Sequence, residues 1–163
     1  MEMRDQKERR FDISMKYLDR YRFVTQASED KKPHGLPYVS DEPDPVGDAS
    51  GPATPALLAT AVAHCLSASL LETSRRAHLK IVNIETEATA IVIPNAEGNP
   101  RISRVEVILK PLLTIDNPRR QRCEDIFQNY CTVSSSLKPA IDIKVSVEWK
   151  IISTITEQYE SLS

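Results

Sequence analysis

Neither sign of charge is in excess in this chain. Over 163 residues, 21 lysines and arginines stand against 23 aspartates and glutamates, a formal net charge of −2. Without a basic field, nucleic acid is not an expected partner. Paired ligand spacing is missing too. The three histidines (His34, His64, His78) fall at no regular interval from the three cysteines (Cys65, Cys123, Cys131), so no metal is expected. An odd cysteine count is not a disulfide framework, and the opening MEMRDQKERR has no apolar core that an export signal would need. The thiols are therefore expected to be free in the reducing cytoplasm, where any disulfide would be catalytic or transient. No repeat and no second domain is visible. The length suits a single domain over 1–163, with 1–15 and 153–163 as flexible or peripheral ends.

The most telling lack is local. From Ala49 to Leu71 there is no Asp, Glu, Lys or Arg, in a chain that is 27% charged. At helical spacing the apolar positions Leu57, Leu58, Ala61, Val62, Cys65, Leu66, Leu70 and Leu71 go right round, so protein or lipid must wrap such a helix. Lipid fits poorly. Pro52 and Pro55 interrupt the first part, and Thr60, His64, Ser67, Ser69 and small alanines dilute the rest. A buried helix is expected, capped by Asp48 or Ser50, starting near Thr54 or Pro55 and running to about His78, with Arg75, Arg76 and His78 at its negative end. Cys65, at its centre, is either an inert core residue or a nucleophile set in a core. Burial alone would keep it a neutral thiol. Reactivity would require a nearby cation, with Arg20 and Arg22 as candidates.

Around this helix the period of the sequence is that of strands. YLDRYRFVT (17–25) places Arg20 and Arg22 on one face with Leu18 and Val24, and a short strand follows at 36–39. The segments between them and after them, SEDKKPHG and SDEPDPVGDASGP, are turn-rich, and His34 falls in the first. From Lys80 to Ile93, Val82, Ile84, Ala88, Ala90 and Val92 share a face, and NAEGNP then turns the chain into a strand with Val105, Val107 and Leu109 inward. A second helix, RRQRCEDIFQNYC, carries Cys123, Ile126, Phe127, Tyr130 and Cys131 on its apolar side. Its end places Cys131 where a resolving thiol could reach Cys65, and Cys123 reads as a small core residue. Arg119, Arg120 and Arg122 at its start oppose the helix dipole and read as solvated, or as facing acids across a dimer. Ile141 to Trp149 alternates most cleanly of all. The expected class is α+β, in the order β-β-α-β-β-α-β, with an antiparallel sheet packed on the cysteine helix. One sheet covers one side of that helix, so a second copy of the chain is expected on the other.

DEPDPVGDASGPATPALLATAVAHCLSASLL and RCEDIFQNYCTVSSSL together resemble the two cysteine segments of the OsmC/Ohr-like family. The resemblance runs from about Tyr38 to Trp149. It implies an intertwined homodimer with the cysteine helices at its centre, acting as a thiol peroxidase on organic hydroperoxides. By position, Cys65 would be the peroxidatic thiol and Cys131 the resolving one, with an arginine, Arg20 or Arg22, against the thiolate. No metal or bound cofactor is implied, only an external dithiol or lipoylated-protein reductant.

The chain also departs from that pattern. Peroxidase members carry a glutamate near the start of the cysteine helix that orients the arginine, and here the turn is Thr54-Pro55-Ala56-Leu57. Glu72, two turns beyond Cys65, reads as a solvated helix-end carboxylate. Two readings follow: a Cys65/Cys131 peroxide reductase, or a non-catalytic dimer of the same fold that binds a small apolar ligand or is structural.

Overall fold

The computed structural model describes residues 8–152. The chain divides into two compact units that part between Thr54 and Pro55. The N-terminal unit is an antiparallel three-stranded meander of β1 (Phe11–Asp19), β2 (Arg22–Glu29) and β3 (Lys32–Ser40). At the β2–β3 turn both Asp30 (φ 49) and Lys31 (φ 65) are left-handed, the pattern of a two-residue hairpin.

Two expectations need correction here. The stretch 17–25 is not one strand but a hairpin that turns at Arg20 and Tyr21, with Asp19 paired to Arg22. Arg20 takes a left-handed φ of 43 where glycine or asparagine would announce a turn. Second, β3 extends back over Pro33 and His34, so His34 lies on a strand, exposed, 3.6 Å from Glu29. Strand β1 begins at Phe11 and is exposed along its length, within the stretch read as a flexible or peripheral end. The tail from 153 and residues 1–7 lie outside the described residues.

After β3 the chain is organised by Asp41, which is almost fully buried. Its carboxylate accepts hydrogen bonds from the Glu42 amide (2.8 Å), the Asp48 and Ser50 amides (3.1 Å each) and the Ser50 hydroxyl (2.9 Å). Burial opposes its ionisation. The bonds from Ser50, Glu42 and Asp48 more than offset this and hold the carboxyl below its ordinary range. Ser50 is thus committed to Asp41, and Asp48 accepts from Arg20, instead of serving as helix caps.

The C-terminal unit opens with α1 (Thr54–Arg76). Pro55 suits a first helical turn, having no amide hydrogen to satisfy there. The helix ends in paired reverse bonds, Leu79 N to Ser74 O (2.8 Å) and His78 N to Arg75 O (3.1 Å), with His78 left-handed at φ 55. By length and composition α1 could cross a bilayer. In the fold one stripe of it, Ala59, Val62, Leu66 and Leu70, belongs to the hydrophobic core, while Ala61, His64, Ala68 and Leu71 are exposed. The expectation of a helix wrapped on every side is met on one side of it.

That core is completed by a sheet in the order β4-β5-β6: β4 (Ile81–Pro94), β5 (Pro100–Leu113) and β6 (Asp142–Val147), with β7 (Lys150–Ile151) also on β5. Val105, Val107, Leu109 and Leu113 of β5 are fully buried against the helix stripe. Each such side chain contributes about 1.5–3 kcal/mol. Ile84, Ala88 and Ala90 face the core as expected, but Val82 and Val92 are 40% and 43% exposed. Register shifts at Ile81/Asn83 and Ile91/Val92 rotate them off the face.

The sheet is mixed, not purely antiparallel. β4 and β5 are antiparallel, whereas β6 and β7 lie parallel to β5, because a helical crossover connects them. That crossover is not the single helix expected. It is α2 (Arg119–Ile126), a 3₁₀ turn (Phe127–Tyr130) and α3 (Thr132–Leu137). The break turns Cys123, Phe127, Cys131 and Ser134 all into the core and leaves Tyr130 63% exposed, contrary to its expected place on the buried side. Trp149 packs on the core and donates from Nε1 to Glu124 (2.9 Å).

Candidate thiol site

Cys65 sits halfway along α1, partly buried, and Cys131 is wholly buried at the break between the 3₁₀ turn and α3. The structure brings the two together: both are free thiols, and Cys131 lies close enough to bear on the ionisation of Cys65. Cys131 is in extended conformation (φ −83, ψ 103), so its Sγ can accept the Ser134 amide at 3.4 Å and cap α3. Burial, followed by the neighbouring Cys131, pushes the Cys65 thiol above its ordinary pKa. Hydrogen bonds from the Val133 and Thr132 amides pull the other way. Burial and the neighbouring thiol therefore both favour the neutral form of Cys65.

Beside Cys65 lies a cavity of about 750 Å³ between α1 and α2. Its α1 wall runs through Ala68, Ser69, Glu72 and Thr73 to Arg76 and Ala77, and its α2 wall through Arg119, Arg122, Cys123 and Ile126 to Tyr130. Glu72 is held by Arg75 (2.7 Å) and Arg76 (2.8 Å), which draw its carboxyl down to about 2. Cys123 is core, as expected, and also touches the cavity. Sequence reasoning missed this cavity. In the sequence Arg119 and Arg122 read as solvated or as facing acids across a dimer, and Arg76 as complementing the end of α1.

Arg20 and Arg22 belong to the N-terminal unit, and an aspartate binds each. Arg20 donates to Asp48 and, at 3.4 Å, to the Val46 carbonyl. Arg22 grips Asp19 through two nitrogens, which lowers the aspartate's pKa and raises its own. Asp48 was read as a helix cap, and its acid loop was the one signal that it could do something else.

The fold is thus that of an α+β protein in which a long helix carries one thiol and a helical crossover carries a second. A sequence model of OsmC-like proteins matches residues 47–146, and the chain belongs to that family. Solved structures share the fold. An OsmC-like protein of Mycoplasma pneumoniae is 16% identical with a TM-score of 0.69, covering 90% of this chain and 99% of its own. A Psychrobacter arcticus protein described as an osmotic stress induced and detoxification response protein is 24% identical (TM-score 0.66, 83% and 94% covered). The organic hydroperoxide resistance protein OhrB of Bacillus subtilis is 17% identical (TM-score 0.61, 85% and 98% covered). No curated protein matches the sequence.

Proposed function

We propose that the protein is a thiol-dependent peroxidase that reduces organic hydroperoxides through Cys65 and Cys131 as a homodimer in the cytoplasm. The observation that carries this reading is the pairing of two free thiols, with Cys131 near enough to shift the ionisation of Cys65, beside a largely apolar cavity. The Cys65 thiolate attacks the distal oxygen of ROOH. The O–O bond breaks, the alkoxide takes a proton and leaves as ROH, and Cys65 becomes a sulfenic acid. The Cys131 thiol then displaces water from that sulfenic acid and forms the Cys65–Cys131 disulfide. An external dithiol, free or on a lipoylated protein, takes over the disulfide and restores both thiols.

Thiolate formation is the step that needs help, because burial and Cys131 both favour the neutral form. In this reading Arg20, held by Asp48, or Arg22, held by Asp19, supplies the cation. An aspartate bound to each arginine supports the idea that another acid does the orienting work of the missing helix-start glutamate. The raised thiol favours the second reading, in which the fold is kept as a non-catalytic dimer that binds a small apolar ligand.

Stopped-flow oxidation of the reduced protein by cumene hydroperoxide and by hydrogen peroxide separates the two. The peroxidase reading expects fast oxidation that favours the organic peroxide. Cys65→Ser should abolish it, and Cys131→Ser should stop it at the sulfenic acid. Oxidation no faster than that of a free cysteine would leave the binding protein.

A further inference from the structure

We propose that one end of the C-terminal unit, where the turn from α1 to β4 meets the turn from β5 to α2, docks on an anionic lipid membrane. Ile115 enters the headgroup layer, and the lysine and arginine side chains around it meet the lipid phosphates. The docking is independent of the thiol chemistry.

Two contacts bring these turns side by side. Ile81 pairs with Leu113, so Lys80 stands beside the start of the β5–α2 turn. Arg119, in the first turn of α2, donates to the Ala77 carbonyl (3.1 Å). Six cations gather there: Arg75, Arg76, Lys80, Arg119, Arg120 and Arg122. Two acids answer them. Glu72 binds Arg75 (2.7 Å) and Arg76 (2.8 Å), and Asp116 binds Arg120 (3.1 Å). Lys80 and Arg122 are exposed and meet no carboxylate among the described residues, and the Arg119 guanidinium meets only a backbone carbonyl. This excess of positive charge stands in a chain whose formal net charge is −2. Local stability does not explain it, because the first turn of α2 has no acid and its arginines oppose the helix dipole.

Ile115 decides which kind of anionic partner fits. It lies in the β5–α2 turn and is 76% exposed. An acidic peptide or a nucleic acid would satisfy the cations and leave this side chain in water. Neither turn carries an aromatic ring on which a base could stack. A bilayer with anionic lipids offers negative charge at its surface and an apolar layer beneath. An apolar side chain rimmed by lysine and arginine answers both. Each cation brought to such a surface is worth roughly fivefold in partition constant. Lys80, Arg119 and Arg122, which no carboxylate neutralises, together give a preference of roughly a hundredfold for anionic over neutral lipid.

Co-sedimentation of the reduced full-length protein with vesicles tests the docking. The vesicles are phosphatidylcholine alone and an equimolar mixture with phosphatidylglycerol. Each is used in about 0.1 M and about 1 M salt, which shortens the Debye length from about 10 Å to about 3 Å. The protein should sediment with the mixed vesicles at low salt, and neither with the neutral vesicles nor at high salt. Lys80→Gln/Arg122→Gln alters two exposed side chains and should weaken partition about twenty-fivefold. Ile115→Ser should weaken it on the order of fivefold. Lys32→Gln/Lys144→Gln removes the same charge from β3 and β6 and should change it little. Partition no stronger on the mixed vesicles than on the neutral ones overturns the proposal, as does an equal loss in the two double variants. So does binding of poly-glutamate that matches vesicle binding and ignores Ile115→Ser, because the surface would then receive an acidic chain. Partition is read without peroxide, so it stands or falls apart from the peroxidase reading.

Discussion

Two glycines mark where single atoms matter most in the N-terminal unit. A Cβ on Gly51 would run into the Val39 carbonyl, and one on Gly47 into the Glu42 carbonyl and the Asp41 carboxylate. None of these is a flexible side-chain tip that can swing away; both carbonyls are backbone, and the Asp41 carboxylate is pinned by four hydrogen bonds. Gly35 differs: nothing lies near its absent side chain, and only its φ of +64 resists substitution. Gly51→Ala should therefore destabilise by about 1–3 kcal/mol, and Gly35→Ala by about 1 kcal/mol. Urea unfolding of both variants checks the order, and an equal loss would mean that the loop yields. The sequence displayed the loop's acids and glycines. It could not show that Asp41 gathers the loop amides while Asp48 turns to Arg20, because that depends on where β1 and β2 turn, and Arg20-Tyr21 carries no turn signal.

At the scale of elements, legibility followed periodicity. β6 was plain because Ile143, Val145 and Val147 alternate with Asp142, Lys144 and Ser146 without a bulge. β4 was legible only between its two register shifts. The crossover was misread as one helix because Phe127 to Cys131 holds no proline or glycine, and its apolar positions satisfy helical spacing whether or not the backbone stays helical. The break has a consequence for Cys131, which caps α3 with its sulfur as the acceptor for Ser134. Serine is a strong cap and alanine none, so Cys131→Ser should match or exceed the parent in thermal stability. Cys131→Ala should lose about 1 kcal/mol. Parity of the two variants would show that the sulfur contributes only packing. The serine variant is thus the cleaner control for chemistry, since it removes the resolving thiol and keeps the helix start that places the Val133 and Thr132 amides on Cys65.

For the whole molecule, the open issue is what meets the surfaces that the single chain leaves bare. On α1, Ala61, His64, Ala68 and Leu71 recur at alternating steps of three and four, the seam by which one helix packs on another. Small residues at two of these positions allow close approach. On β1, Phe11, Ile13, Met15 and Tyr17 form a row that is 67%, 62%, 50% and 63% exposed. Apolar rows of this kind mark interfaces more often than free surface. The homodimer proposed above accounts for both. It predicts a sedimenting species of twice the 18.3 kDa chain at micromolar concentration. Ala61→Glu changes an exposed helical position and so should leave the fold of one chain intact, yet it places a charge in the seam and should shift the species toward monomer. If Ala61→Glu stays dimeric while Met15→Lys dissociates, the contact runs through the N-terminal sheet and not through the cysteine helices. A chain that is monomeric at every concentration would remove the dimer, and with it any arginine that a second copy could bring to Cys65. The peroxidase reading would then depend on Arg20 or Arg22 of the same chain, since burial and Cys131 both favour the neutral thiol.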